Sequence, residues 1–166
     1  MRETDNAIYF FGKNVEFSNF YPCIFVKHDI TFNCTEQYFM YKKCMQFDCK
    51  NTELINNILN ETNPKVIQKY GRNVNNYDEE IWNNLRYDVM LDTLFLKFSQ
   101  NENLKQMLLN TNNKILYEAS KYDNIWGIGY DEDLAVDINP EQYGKNLLGQ
   151  ALMETRVRLF ELSKIN

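Results

Sequence analysis

Apolar residues along this chain change their spacing several times, and the changes mark its elements. Ala7-Ile8-Tyr9-Phe10-Phe11 is a continuous apolar run of strand length. Residues 23–26 and 30–33 read as two further strands, with Lys27-His28-Asp29 as the hairpin turn between them. An aromatic loop, Phe17-Ser18-Asn19-Phe20-Tyr21-Pro22, precedes them and is closed by proline. A helix then runs from Thr35, its N-cap, to about residue 48. The next helix takes Thr52 as N-cap and Glu53 in its first turn. Asn63-Pro64 is a cap followed by proline at the first helical position, and Gly71 is the left-handed C-terminal cap of that short helix.

Asp78-Glu79-Glu80 opens the longest helix, to about residue 98. Trp82, Leu85, Val89 and Leu96 keep three-four spacing along it, and Trp82, Arg86 and Met90 form a second line at spacing four. Leu104, Met107 and Leu108 mark another amphipathic helix, and residues 114–119 a strand. Residues 123–129 form an irregular, glycine-opened segment. The last helix covers about 146–162, with Leu148, Leu152, Val157 and Leu159 as its core positions. The pattern predicts an α+β fold: a mainly α-helical single domain, residues 1–166, with a small, largely antiparallel sheet.

Composition narrows the function classes. The chain has 166 residues, 44% hydrophobic and 14% aromatic, which excludes a disordered chain. No apolar run approaches the ~20 residues of a membrane span, and the N-terminus lacks the apolar core of a signal peptide. A cytosolic or nuclear protein is expected, with no membrane partner. Net charge is −5 and no basic face is visible, so extended duplex DNA binding is not expected. Cys23, Cys34, Cys44 and Cys49 form no CxxC pair and read as free, small hydrophobes. The single histidine, His28, falls in a turn, so neither a zinc site nor Ser/His/Asp chemistry is supported. No metal and no cofactor is expected.

The helix from Thr35 carries the strongest chemical signal. Glu36 and Lys43 are seven residues apart, two helical turns, and so share one face. Their Cα atoms stand roughly 10 Å apart at 1.5 Å rise per residue, which leaves room for a group the size of a sugar ring. A solvated face is the ordinary reading of such a pair. Against it, Tyr38, Phe39, Met40, Tyr41, Met45 and Phe47 crowd the same helix, and a charge on a mostly covered helix needs a reason.

Four weaker signals follow. Gly127 and Gly129 flank Trp126, allowing backbone to approach a ligand while the indole stacks on a base. A tight turn with a core tryptophan is the competing reading. Asp123 suits a sugar hydroxyl or a developing positive charge, and equally a turn cap. Arg72 presents a guanidinium suited to phosphate just past a helix end, where a plain surface arginine is the commoner case. The glycines around Asn146 would allow close helix packing, and the N–H groups of that helix start can hold an anion.

Taken together, Phe17-Ser18-Asn19-Phe20-Tyr21-Pro22, Thr35-Glu36-Gln37-Tyr38-Phe39 with Lys43, Gly71-Arg72, Trp82 with Arg86 and Met90, Lys97-Phe98, Glu118-Ala119-Ser120 with Asp123, Trp126-Gly127-Ile128-Gly129, and Asn146-Leu147-Leu148-Gly149 with Leu152-Met153 and Arg156 resemble the NADAR superfamily. The resemblance runs from about residue 9 to 162, in the family's order. It implies an N-glycosidase. Bacterial and plant members cleave phosphoribosyl-aminopyrimidine intermediates of riboflavin synthesis, and others resemble hydrolases that remove ADP-ribose from guanine. The implied catalytic residues are Glu36, Lys43 and Asp123. The implied substrate-binding residues are Asn19, Phe20, Arg72, Trp82, Arg86, Trp126, Gly127 and Gly129. Gln37 stands where the family often has histidine, and Glu141-Gln142-Tyr143 lacks the tryptophan often found before the final Gly-x-Asn. The implied partner is a nucleotide-like small molecule, extending to an ADP-ribosylated nucleobase on nucleic acid. The alternative is a module that holds ADP-ribose or NAD without cleaving it.

Overall fold

The computed structural model describes residues 1–165; Asn166, the last residue of the predicted domain, lies outside them. In chain order the elements are β1 (Arg2–Glu3), β2 (Ala7–Phe10), β3 (Phe25–Lys27), β4 (Ile30–Phe32), α1 (Thr35–Phe47), α2 (Thr52–Asn60), α3 (Pro64–Arg72), α4 (Glu79–Ser99), α5 (Glu102–Leu109), β5 (Ile115–Glu118), α6 (Glu132–Ala135), a 3₁₀ turn at Pro140–Gln142, and α7 (Leu147–Ser163). The α+β class is as the pattern predicts. The chain divides into two compact units: a middle unit, Asn19–Asn101, and a terminal unit made of Met1–Ser18 with the chain from Glu102 onward.

The middle unit places α1 against α2, α3 and α4. Its β3–β4 hairpin turns through His28 (φ 51°) and Asp29 (φ 62°), with Lys27 already paired to Ile30. Two consecutive left-handed residues make the tight turn whose twist matches that of the strands. Phe25 and Phe32 stack across the hairpin at 5.6 Å, and Tyr38 of α1 meets Phe32 edge-on at 4.9 Å. Gln100 closes the strand edge: its amide accepts from Val26 N–H at 2.8 Å and donates to Val26 C=O at 2.9 Å.

Three helix ends differ from expectation. Thr35 is the first helical residue, with Cys34 at the cap position. Asn51, not Thr52, caps α2, its side chain accepting from Leu54 N–H at 3.0 Å. Gly71 is not a left-handed cap: it lies inside α3, buried, and a Cβ there would run into the Met40 side chain. Its missing side chain is what lets α3 press against α1.

In the terminal unit β2 pairs antiparallel with β1 and parallel with β5, in register from Ala7↔Ile115 to Phe10↔Glu118. That parallel pairing joins strands over a hundred residues apart, which local pattern does not reveal. The helix α7 packs on β5 and α5 and buries Leu148, Ala151, Leu152, Thr155 and Leu159. Val157, an expected core position, is 57% exposed, because it sits about 200° around the helix from Thr155. No helix among the described residues is long and apolar enough to cross a membrane.

Candidate active site

Glu36 and Lys43 enter one electrostatic cluster with Gln68, Arg72 and Tyr77, all within the middle unit. Glu36 sits in the first turn of α1, where its N–H donates to Asn19 C=O at 3.0 Å. Its side chain is only 5% exposed. Burial penalises the carboxylate and pushes the group up to about 7; the charges of Lys43 and Arg72 and a hydrogen bond from the Gln68 amide hold it from rising further. Lys43, two turns on, donates from Nζ to Gly71 C=O at 2.9 Å and lies 4.2 Å from the Tyr77 ring centroid. Burial lowers its pKa first, the Arg72 charge adds to that, and Glu36 opposes it. A half-buried amine and a buried acid are each moved toward the neutral form, the direction that proton transfer and nucleophilic attack require.

The close approach at Gly71 has a chemical consequence. The same missing Cβ that seats α3 on α1 brings the Gly71 carbonyl within reach of Lys43. Gln68 and Arg72 follow at i and i+4 on α3, bonded to each other at 3.4 Å. Neither Gln68 nor Tyr77 is marked by a motif in the sequence. The i,i+4 relation to Arg72 was available for Gln68. Tyr77 belongs to an irregular segment, and no periodicity points to it.

Other expected residues of the middle unit take varied positions. The Asn19 Oδ1 and Thr35 Oγ1 atoms are buried with no hydrogen-bond partner at the start of α1, and Phe20 is half-buried beside Asn19 in the chain. Trp82 is a core residue, 5% exposed, with Phe39 at 5.1 Å and Phe47 at 6.2 Å. Arg86 is partly buried on α4, and its charge reaches the Tyr77 hydroxyl. Gln37 is a structural clamp. It donates to Ile58 and Leu59 C=O at 3.0 Å and to Glu61 C=O at 3.1 Å, and accepts from Asn33 N–H at 2.8 Å. It thereby satisfies carbonyls at the end of α2.

Asp123, Trp126, Gly127 and Gly129 lie in the terminal unit. Asp123 Oδ1 accepts from Ile125 N–H at 2.8 Å and Trp126 N–H at 2.9 Å, closing a turn. A Cβ on Gly127 would stand 2.8 Å from Glu118 O and 2.9 Å from Asp123 O, and Gly129 holds φ +79°. Backbone fills the space Gly127 leaves, while Gly129 is required by its left-handed backbone and meets only the Asn124 side chain, at 3.5 Å. Trp126 is partly buried. The expected anion site at the start of α7 is overturned: Leu147 N–H donates to Ile125 C=O and Leu148 N–H to Trp126 C=O, both at 3.1 Å. Asn146 at φ 52° accepts from Glu118 N–H at 3.0 Å and donates to Leu116 C=O at 2.8 Å, which fixes α7 to β5. The terminal unit also holds an open cavity of about 270 Å³ lined by Phe11, Ala119, Lys121, Tyr122, Asp131 and Glu132.

The same arrangement of helices around small sheets occurs in a solved structure, the NMR structure of the Escherichia coli protein YbiA. It superposes with a TM-score of 0.76 at 27% identity, covering 99% of this chain and 90% of that one. The curated relatives include N-glycosidase R617 of Acanthamoeba polyphaga mimivirus, 35% identical over 93% of this chain and 96% of that protein. Protein irg-1 of Caenorhabditis elegans is 34% identical over 92% and 79%. N-glycosidase YbiA of Shigella boydii is 31% identical over 87% and 81%. At the level of its family the chain is thus an enzyme, a hydrolase of N-glycosyl compounds. Residues 9–160 match the NADAR domain, and the chain belongs to that family.

Proposed function

We propose that this protein hydrolyses the N-glycosidic bond at ribose C1 of a ribosylated base, with Lys43 as the C1-directed amine and Glu36 as the proton-transfer group. The substrate is a nucleotide-like small molecule, a phosphoribosyl-aminopyrimidine or an ADP-ribosylated guanine. The observation that carries the reading is Glu36, buried and lifted to about 7, sharing a cluster with an amine whose pKa burial lowers. A ligand-holding role calls for neither displacement.

The step balances as follows. In the ring-opened ribosylamine, C1 is an imine carbon bonded to the base's amino nitrogen. The neutral Lys43 amine adds to C1. Glu36 gives its proton to the base nitrogen, and one amine proton of Lys43 follows. That nitrogen leaves with the electron pair of its bond to C1, and C1 stays joined to Lys43 as a protonated Schiff base. Water adds to C1, the lysine departs as ammonium, and its proton returns to Glu36. One water is consumed; a free base and a ribose aldehyde are released. Arg72, exposed at the end of α3, suits the phosphate of such a substrate. In the terminal unit, the family resemblance supports Asp123 toward ribose hydroxyls and Trp126 toward a base. The bonds Asp123 makes support turn construction as well.

The test is a two-substrate comparison. The protein is incubated with ADP-ribosyl-guanosine and with ribosylaminopyrimidine phosphate, products are separated, and a parallel reaction is quenched with borohydride. Free base from one substrate and a mass adduct on Lys43 are expected. Base release without an adduct would leave Lys43 an electrostatic role. Binding without release from either substrate would make the protein a non-catalytic ADP-ribose module.

A further inference from the structure

We infer that Tyr77 is a positioning residue for the Lys43 amine, a fixed aromatic wall that orients Nζ and holds part of its positive charge. The inference rests on the reading of Lys43 as the reacting amine, and it names a residue that neither the motifs nor the family resemblance singles out.

Three observations converge. The Tyr77 ring centroid lies 4.2 Å from Nζ, inside the range of a cation–π contact. Gly71 C=O takes a second direction of the same nitrogen at 2.9 Å, so the amine is held between a carbonyl and a ring. The ring itself is not free to drift. Phe47, at the last turn of α1, packs edge-on against it at 5.4 Å. The segment that carries it is tied to the end of α1 by one carboxylate. Asp48 Oδ2 accepts from Asn75 N–H at 3.2 Å and from Asn75 Nδ2 at 2.9 Å, while Asn51 Nδ2 bonds the same oxygen at 2.9 Å. Asn76, in the left-handed region at φ 54°, turns the chain just before Tyr77 and donates to Phe47 C=O at 3.4 Å. A side chain 44% exposed is thus anchored over a single ammonium.

Two effects of the ring oppose each other. Its bulk keeps water from the amine, which favours the neutral form. Its electron-rich face favours the ammonium. Leucine keeps most of the apolar bulk and lacks the face, and phenylalanine keeps both. The other charges facing Lys43 are Glu36 on α1 and Arg72 on α3. Tyr77 in turn faces Asp78 and Glu79 next to it in the chain and Arg86 on α4, and all stay in place in both variants.

The experiment follows Lys43 itself rather than turnover. Protein labelled with ¹³Cε-lysine is titrated by NMR, with the Lys43 signal assigned from its loss in Lys43→Arg. Tyr77→Leu is expected to lower the Lys43 midpoint by about half a pH unit, the size of a modest cation–π contact. It should also abolish the upfield ring-current shift of the Lys43 ε protons. Tyr77→Phe restores both. Thermal melts confirm that each variant is folded. A Lys43 midpoint unmoved by Tyr77→Leu, or raised by it, would overturn the inference. The kinetic pH profile then separates the two readings. A Lys43 midpoint that moves while the rate profile stays put would retain the Tyr77 role and reject Lys43 as the reacting amine.

Discussion

Two segments stand out in the sequence, Glu36 to Lys43 on α1 first and Asp123 to Gly129 in the terminal unit second, and the structure treats them differently. The first holds an acid that is 5% exposed, with Gln68, Lys43 and Arg72 as the groups that steady it, and its protonation is displaced to about 7. The second is locked by its own backbone. Its aspartate accepts two N–H groups, Gly127 is packed against neighbouring main chain, and residues 124–128 accept the N–H groups of 144–148. In the first segment a polar group is kept away from its preferred state, which is what marks chemistry; in the second, the bonds of Asp123 and of the main chain account for a tight construction.

The sharpest way to break this contrast is to neutralise the acid. Glu36→Gln should lose roughly 10²–10⁴-fold in kcat/KM, the usual share of a positioned acid or base, with the fold intact. Lys43→Arg should lose at least as much and erase the borohydride adduct, read by intact-mass spectrometry. A Glu36→Gln enzyme with near-parental rates would remove the chemical distinction between the segments.

Stability against pH gives the next largest effect. Glu36 is raised in the folded protein from 4.5 to about 7, so its stabilising contribution is fully present below pH 4.5 and lost as pH rises through 7. The loss is on the order of 3 kcal/mol. Urea unfolding between pH 4.5 and 8 should show the decline in the parent and a flatter curve in Glu36→Gln. Equal slopes would mean that Glu36 is not buried as described. Activity that needs the protonated acid should fall above about pH 7, where the folded-state carboxyl ionises.

Smaller effects should come from the terminal segment, and in stability first. Asp123→Ala strands two backbone N–H groups and should cost about 1–3 kcal/mol in urea unfolding. Asp123→Asn keeps an accepting oxygen and should recover most of that. If the asparagine variant is stable yet slow, the charge of Asp123 acts on substrate, and the two segments are chemically alike after all. Gly149→Ala pushes a methyl into Leu116 O and the Asn146 side chain, and should cost roughly 1–3 kcal/mol without altering the pH profile of the rate.

Much of this was legible in the residues. The Glu36–Lys43 face, the hairpin at His28-Asp29, the proline-started α3 and the acidic start of α4 are local, because helix period, turn chemistry and caps act over a few residues. Arg72 was legible as a candidate from its guanidinium at a helix end, and the structure places it in the last turn of α3. Other roles were not local. Gly71 reads as a cap from its place after Tyr70, and only the packing of α3 on Met40 shows it to be a contact glycine. The Asn146 motif reads as an open helix start, and only the pairing of 144–148 with 124–128 shows its N–H groups to be occupied.

The long helices, the hairpin, the strands β2 and β5, and the family they belong to were legible in the sequence alone, since periodicity and ordered motifs need no third dimension; the short β1 and α6 carry no such pattern. Tertiary structure alone decided which polar groups lost their water. Burial of Glu36, the carbonyl and ring around Lys43, and the parallel pairing of β2 with β5 arise from segments far apart in the chain. The free energy that shifts a proton depends on what surrounds a group in space, and neighbours in sequence supply only part of that surrounding.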